Sequence, residues 1–221
     1  MFPEYYQYFQ YLSLLMAIIF AKELRQNKLE LFVPLLVVVC ITETTANYLS
    51  NILNREDNYK VYNLYLIIST PLSLCLFFKM LDMGKTLATR VFLFGAIFFE
   101  IFLIINYVLL QGLDTFNSYS LILIMSLNIF FSCMVLLNLA RNEERDMALL
   151  KEPYFWINSA NLLFSLSTLV ILGLYQYIHK HNIELGNKSL YRYIVPASNA
   201  ILYSAYTYSF YLCRTQAKTT K

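Results

Sequence analysis

Two acids stand where an acid is costly: Glu43 and Glu100 each lie near the middle of a long apolar run. An ionised side chain at the centre of a bilayer costs about 2.5–3.5 kcal/mol even on the lenient insertion scale. Each must therefore be protonated, partnered or beside water. An intramembrane acid that changes protonation is the chemistry of a proton relay or an ion-coupled solute site. Neutral hydrogen-bonding groups recur in phase with these acids. On the second apolar run Glu43, Asn47, Ser50 and Asn54 follow i, i+4, i+7, i+11. On the sixth, Asn161, Ser165 and Thr168 follow i, i+4, i+7, and on the seventh Asn199, Tyr203 and Tyr206 do the same. That spacing places residues on one face of a helix. Hydrocarbon offers no hydrogen-bond partner, so such stripes turn toward other helices or water. The seventh-run stripe is the weakest, because Phe210, next in phase, is apolar.

The elements that must position these groups follow from composition. Hydrophobic residues make up 58% of the 221 positions and charged residues only 14%, against roughly half and a quarter in soluble domains. Stretches of about 20 apolar residues cover a bilayer core, and seven are present: Tyr5–Ala21, Leu31–Ile52, Val61–Leu81, Leu87–Leu110, Tyr119–Leu139, Tyr154–Ile178 and Tyr191–Cys213. The expected fold is all-α, a polytopic membrane protein built as a seven-transmembrane-helix bundle. One membrane domain, residues 1–213, is followed by a short basic tail, residues 214–221. The flank Met1-Phe2-Pro3-Glu4 lacks a basic n-region, so the first run reads as a retained span and not a cleaved signal.

Alternate loops divide the basic residues unevenly. Twelve of the 17 fall on one side: Lys22, Arg25, Lys28, Lys79, Lys85, Arg90, Arg141, Arg145, Lys151, Arg214, Lys218 and Lys221. Arg55, Lys60, Lys180, Lys188 and Arg192 fall on the other. The positive-inside rule then puts the carboxy terminus in the cytoplasm and the amino terminus outside. The net charge of +3 is thus a topological signal, not a nucleic-acid footprint. Thirteen of the 19 tyrosines lie toward the outward ends, where they read as an aromatic belt. With this orientation Glu43 and Glu100 both sit roughly 18–20 Å from the inner boundary, at 1.5 Å per residue. Ser69, Thr70, Pro71, Asn128, Ser165, Pro196, Ser198 and Asn199 come within about a turn or two of that level.

Several chemistries are excluded by counting. The seventh run has no lysine for a retinal Schiff base. The two histidines, His179 and His181, stand at one outward helix end, too few for a three-histidine zinc centre, and neither His-Glu-x-x-His nor Gly-x-Ser-x-Gly occurs. No catalytic residue, metal site or cofactor is called for, and the balance is against an enzyme. Cys40, Cys75 and Cys133 lie inside spans and Cys213 at the cytoplasmic end, a pattern of packing residues and not of outer-loop disulfides. Asn187-Lys188-Ser189 fits a glycosylation sequon on the outward side.

Serine, threonine and most asparagines in these stripes read as interhelical glue, each bond contributing about 0.6–2 kcal/mol. The glutamates read differently, since a neutral side chain would pack there at lower cost. The expected site therefore comprises Glu43, Asn47, Glu100, Asn128, Asn199 and Tyr203, and the expected function is a small-solute or proton-coupled transporter. The alternative is a sensory, receptor or scaffold protein with a ligand in its outward half and a cytoplasmic partner on its basic inner loops. The partners expected are the lipid bilayer, a small solute or proton, and on the alternative reading a cytoplasmic protein; no nucleic acid is among them. Pro34 and Pro153 stand at the starts of runs two and six, and Pro71 and Pro196 interrupt runs three and seven. Three-helix units around a single linking span would place them alike. That three-plus-one-plus-three plan resembles small sugar transporters, although their proline-glutamine motif and their prolines in spans one and five are absent here.

Overall fold

A computed structural model describes residues 5–51, 58–82, 87–112, 115–141, 149–180, 184–185, 188–189 and 191–219. Asn54, Arg55, Lys85, Arg145, His181, Asn187 and Lys221 lie outside the described residues, as does the side chain of His179. Eight α-helices carry nearly all of the described chain: α1 Tyr5–Ile19, α2 Ala21–Gln26, α3 Phe32–Asn51, α4 Tyr59–Met80, α5 Leu87–Ile105, α6 Ser118–Arg141, α7 Pro153–Lys180 and α8 Tyr191–Thr219. A two-residue antiparallel pair, β1 Glu184–Leu185 with β2 Lys188–Ser189, lies between α7 and α8.

Five helical stretches are long and apolar enough to cross a membrane: Phe32–Ser50, Tyr59–Met80, Thr89–Leu110, Ser118–Arg141 and Pro153–Leu174. They coincide with apolar runs two to six. The first and seventh runs differ from expectation for separate reasons. The first is broken at Phe20, leaving α1 with 15 residues and turning the chain into α2. The seventh forms a 29-residue helix, α8, but its tyrosines, serines and asparagine dilute its apolar character. That helix also runs through Arg214 to Thr219, because Gln, Ala, Lys and Arg are all good helix formers. The basic tail therefore begins as helix.

The described residues form two compact units, Ala17–Ile124 and a second made of Met1–Met16 with Met125–Lys221. In the first, α3 packs against α4 and α4 against α5. Its core includes Leu24, Leu29, Phe32, Leu36, Leu66, Phe77 and Met80. The turn between α2 and α3 is held locally. Asn27 Nδ2 donates to Glu23 O at 3.0 Å, Leu29 N–H donates to Leu24 O at 2.8 Å, and Lys28 takes a left-handed φ of 57°. Two ion pairs then clasp this turn to the carboxy end of α4: Lys28 Nζ with Asp82 Oδ1 at 2.5 Å, and Lys79 Nζ with Glu30 Oε1. Partial desolvation pushes the Glu30 carboxyl up, but the Lys79 hydrogen bond and charge outweigh it and hold the group below its ordinary value of 4.5.

α5 is apolar almost all round. Phe94 and Phe98 are 74% and 75% exposed, as a helix facing lipid on most of its circumference should be. Its buried stripe is Phe99, Leu103 and Asn106 at i, i+4, i+7. At Asn106 the α-helix widens into a π-helical turn, Asn106–Leu110, closed by Gln111 N–H donating to Asn106 O at 2.9 Å. Such turns insert one extra residue and mark local strain or function.

In the second unit α7 and α8 make the principal pair. Pro153 opens α7, where its fixed φ and missing N–H suit a first helical position. Trp156 Nε1 donates to Leu150 O at 2.8 Å and stacks edge-on with Tyr208, centroids 5.1 Å apart. Along α8 the rings of Tyr203, Tyr206 and Phe210 form a continuous buried line. Pro196 is buried inside the same helix, whereas Pro71 in α4 is exposed.

Candidate functional site

The expected site residues divide between the two units. Glu43, Asn47 and Glu100 belong to the first, and Asn128, Asn199 and Tyr203 to the second. Glu43 stands in the middle of α3, partly buried, and accepts a hydrogen bond from Tyr62 Oη of α4 at 3.4 Å. A bond this long is weak, yet it directs the carboxylate at a neighbouring helix. Asn47 follows one turn on and is also partly buried.

Glu100 has a different environment. It flanks the narrow buried stripe of α5, and its Oε1 is buried with no hydrogen-bond partner among the described residues. α3 and α5 both pack against α4. Glue residues earn their place in hydrocarbon by finding partners. Glu43 has one; the buried oxygen of Glu100 does not.

A polar node at the carboxy end of α5 is the feature that periodicity alone missed. Asn106 Nδ2 lies 2.6 Å from Asn117 Oδ1, 2.7 Å from Ser120 Oγ and 3.1 Å from Gln111 Oε1. One NH₂ group carries two protons, so it satisfies two of these three acceptors at a time. Asn63 of α4 joins the node from both ends of its amide: Nδ2 donates to Thr115 O at 2.8 Å, and Oδ1 accepts from Asn117 N–H at 2.9 Å. Gln111 completes it, its Oε1 accepting from Tyr119 N–H at 3.0 Å at the start of α6. Three helices are thereby tied at one end by neutral groups. The signal available in the sequence was Asn106 falling in phase with Phe99 and Leu103.

In the second unit the stripes of runs six and seven meet, since Tyr206 Oη donates to Asn161 Oδ1. Tyr203 is buried beside Tyr206, with ring centroids 5.8 Å apart. Asn199 turns back on its own helix, Nδ2 donating to Val195 O at 3.1 Å. Asn128 is half-buried on α6. A further polar stripe, Gln7, Gln10 and Ser13 on α1, is buried and was hidden in the sequence among aromatic belt residues. Among the described residues no three His, Cys, Asp or Glu side chains come together as a metal site, and the four cysteines form no disulfide. None of the three comparisons, with family models, curated proteins and solved structures, finds a match, so the chemistry of the described residues alone carries the functional reading.

Proposed function

We propose that this chain is a seven-span integral membrane protein, amino terminus outside and carboxy terminus cytoplasmic, that couples proton movement to the passage of a small solute. Five apolar helices supply the spans that composition alone supports. α8, at about 43 Å for its 29 residues, is long enough to join them. Its polar groups Tyr203, Tyr206 and Ser209 are buried while Ile201 and Tyr211 are exposed, the sidedness of a membrane helix packed on protein. α1 with α2 supplies the seventh crossing.

The observation that carries the reading is Glu100: an acid in the least buried of the five apolar helices, with a buried oxygen and no partner for it among the described residues. A static role is served at lower cost by a neutral residue, whereas a proton carrier must be able to lose its proton without first breaking a strong pair. Glu43, held toward α4 by Tyr62, is the other mid-helix acid of the same unit and serves as a further station for the proton. The test is uptake of a panel of labelled sugars, amino acids and amines into proteoliposomes across a pH series. The parent chain should show pH-dependent uptake of a panel member, and Glu100→Gln should keep expression while losing the pH dependence. An unaltered pH profile in that variant refutes the proton role.

A further inference from the structure

A π-helical turn holds one residue more than the α-helix it interrupts, and the surplus bears on every residue before it. At the end of α5, Gln111 N–H bonds Asn106 O, five residues back, at 2.9 Å. If that end stays fixed while the turn closes to α-helix, the preceding helix rotates by about 100° and moves about 1.5 Å along its axis. Each residue of α5 then enters the place of the one before it. One surface of the helix is packed: Phe92, Ala96, Phe99, Leu103 and Asn106, spaced i, i+4, i+7, i+11, i+14, are buried or partly buried. Phe78 of α4 meets Phe92 on this surface, ring centroids 5.5 Å apart. Leu93 for Phe92 and Ile104 for Leu103 are apolar exchanges that a packed surface tolerates, and only Ile97, replacing the partly buried Ala96, needs more room. Elsewhere Phe94, Phe98, Ile101 and Ile105 are exposed, so an apolar face meets lipid in either register. The exchange that changes chemistry is Glu100 for the buried Phe99. What holds the present register is the polar node, where Asn106 Nδ2 lies 2.6 Å from Asn117 Oδ1 and 2.7 Å from Ser120 Oγ. Tyr107 in the place of Asn106 would break both bonds.

We propose that closing and reopening of the π-helical turn Asn106–Leu110 carries Glu100 between two stations, the flank of the packed surface of α5 and the place now held by Phe99, with the Asn106 node as the latch. The register change is argued from the helix alone; its use as a step in proton passage rests on the proton role proposed above for Glu100. Such motion suits that role, because an acid that takes up a proton and gives it up elsewhere must meet different surroundings at the two moments. Helix register shifts of this size belong to the known repertoire of switching transitions and occur in microseconds to milliseconds.

The test combines cross-linking with proton flux in proteoliposomes. Cys40, Cys75, Cys133 and Cys213 are replaced by alanine. Phe78→Cys is then paired with Phe92→Cys, which reads the present register, or with Leu93→Cys, which reads the shifted one. A short bifunctional methanethiosulfonate should join both pairs, the second at about 1–10% of the rate of the first, the share of a minor state. Asn106→Leu opens the latch and should raise that share about tenfold, the effect of losing two amide hydrogen bonds. Deleting Val108 removes the surplus residue, so Glu100 stays at its present station in a continuous α-helix and thermal stability should match or exceed that of the parent. In that variant the Leu93 pair should cross-link about tenfold more slowly or not at all, and proton flux should fall to the empty-liposome rate although Glu100 is present. No cross-link of the Leu93 pair in the parent, or a share unmoved by Asn106→Leu, overturns the register change. Parent-like flux in the deletion variant, with the Leu93 cross-link lost, overturns its use in proton passage. Failure of the proton role itself is distinct: it shows as parent-like flux in Glu100→Gln with both cross-links unchanged.

Discussion

Asn106→Leu should lower the thermal stability of the protein by several degrees. The amide donates to at most two of its three acceptors at once, Asn117 Oδ1, Ser120 Oγ and Gln111 Oε1. Two such bonds contribute about 1–3 kcal/mol together, at about 0.6 kcal/mol each on the membrane average and up to 1.5 each in soluble proteins. Leucine also strands Asn117 Oδ1, which costs about 1–3 kcal/mol. Against this, it removes Asn106 Oδ1, itself buried without a partner. The last two effects nearly cancel, leaving about 2 kcal/mol, or roughly 4–8 °C for a chain of this size. Thermal unfolding in detergent is the assay, with Ser204→Ala as control because its exposed hydroxyl bonds only its own helix at Ala200 O. Asn117→Ala should be destabilising too, and the double variant should cost less than the sum of the two by about 0.5–3 kcal/mol, since both break one node. A Tm for Asn106→Leu equal to that of Ser204→Ala, or strict additivity in the double variant, refutes the node as a clasp on α4, α5 and α6.

Three other outcomes follow from the same geometry. Reporter fusions after Arg145 and after Lys221 should give cytoplasmic signals and a fusion after Asn187 an external one, as the split of basic residues requires; inverted signals overturn the topology. Because the folded Glu30 carboxyl is held below 4.5 by Lys79, its stabilising effect is complete above 4.5 and is lost as pH falls through the lower folded value. Glu30→Gln should therefore flatten the stability profile below about pH 4.5 and leave its shape at neutral pH unchanged, by a small amount, since solvent screens a pair exposed by about a third; an identical acid profile in parent and variant contradicts the pair. Tyr206→Phe removes the donor to Asn161 without changing the ring line of α8, and should cost about 0.6–2 kcal/mol in detergent melts, with no loss showing that the bond contributes nothing.

Runs two to six were legible because length and hydropathy are properties of one helix, and the five apolar helices fall on them. The ends of the chain were less so. A count of apolar residues passes over Phe20, where α1 stops and α2 begins, whereas the stripe on run seven did place Tyr203 and Tyr206 on an inward face, and both are buried. Periodicity also told which residues share a face of one helix, but not which helix that face meets. Asn63 and Asn117 are 54 positions apart, and no pattern local to either run announces their bond. For the same reason Asn161 and Tyr206 could be placed on stripes, yet not on each other. The contrast between Glu43 and Glu100 lay further still from sequence, since residue counting sets both at matching depths in matching runs. Only the position of Tyr62 separates a partnered carboxylate from one with a buried, unpartnered oxygen.

The proton role of Glu100 is tested most directly by proton flux itself, read from an entrapped pH dye after an acid step outside proteoliposomes carrying the parent chain, Glu100→Gln or Glu43→Gln. The glutamine keeps the shape and hydrogen-bonding capacity of a protonated acid but cannot release a proton. With the proton role in place, the parent acidifies its vesicles faster than empty liposomes, Glu100→Gln falls to the empty-liposome rate, and Glu43→Gln is slowed. Parent-like flux in Glu100→Gln would contradict it and leave the acid as structure.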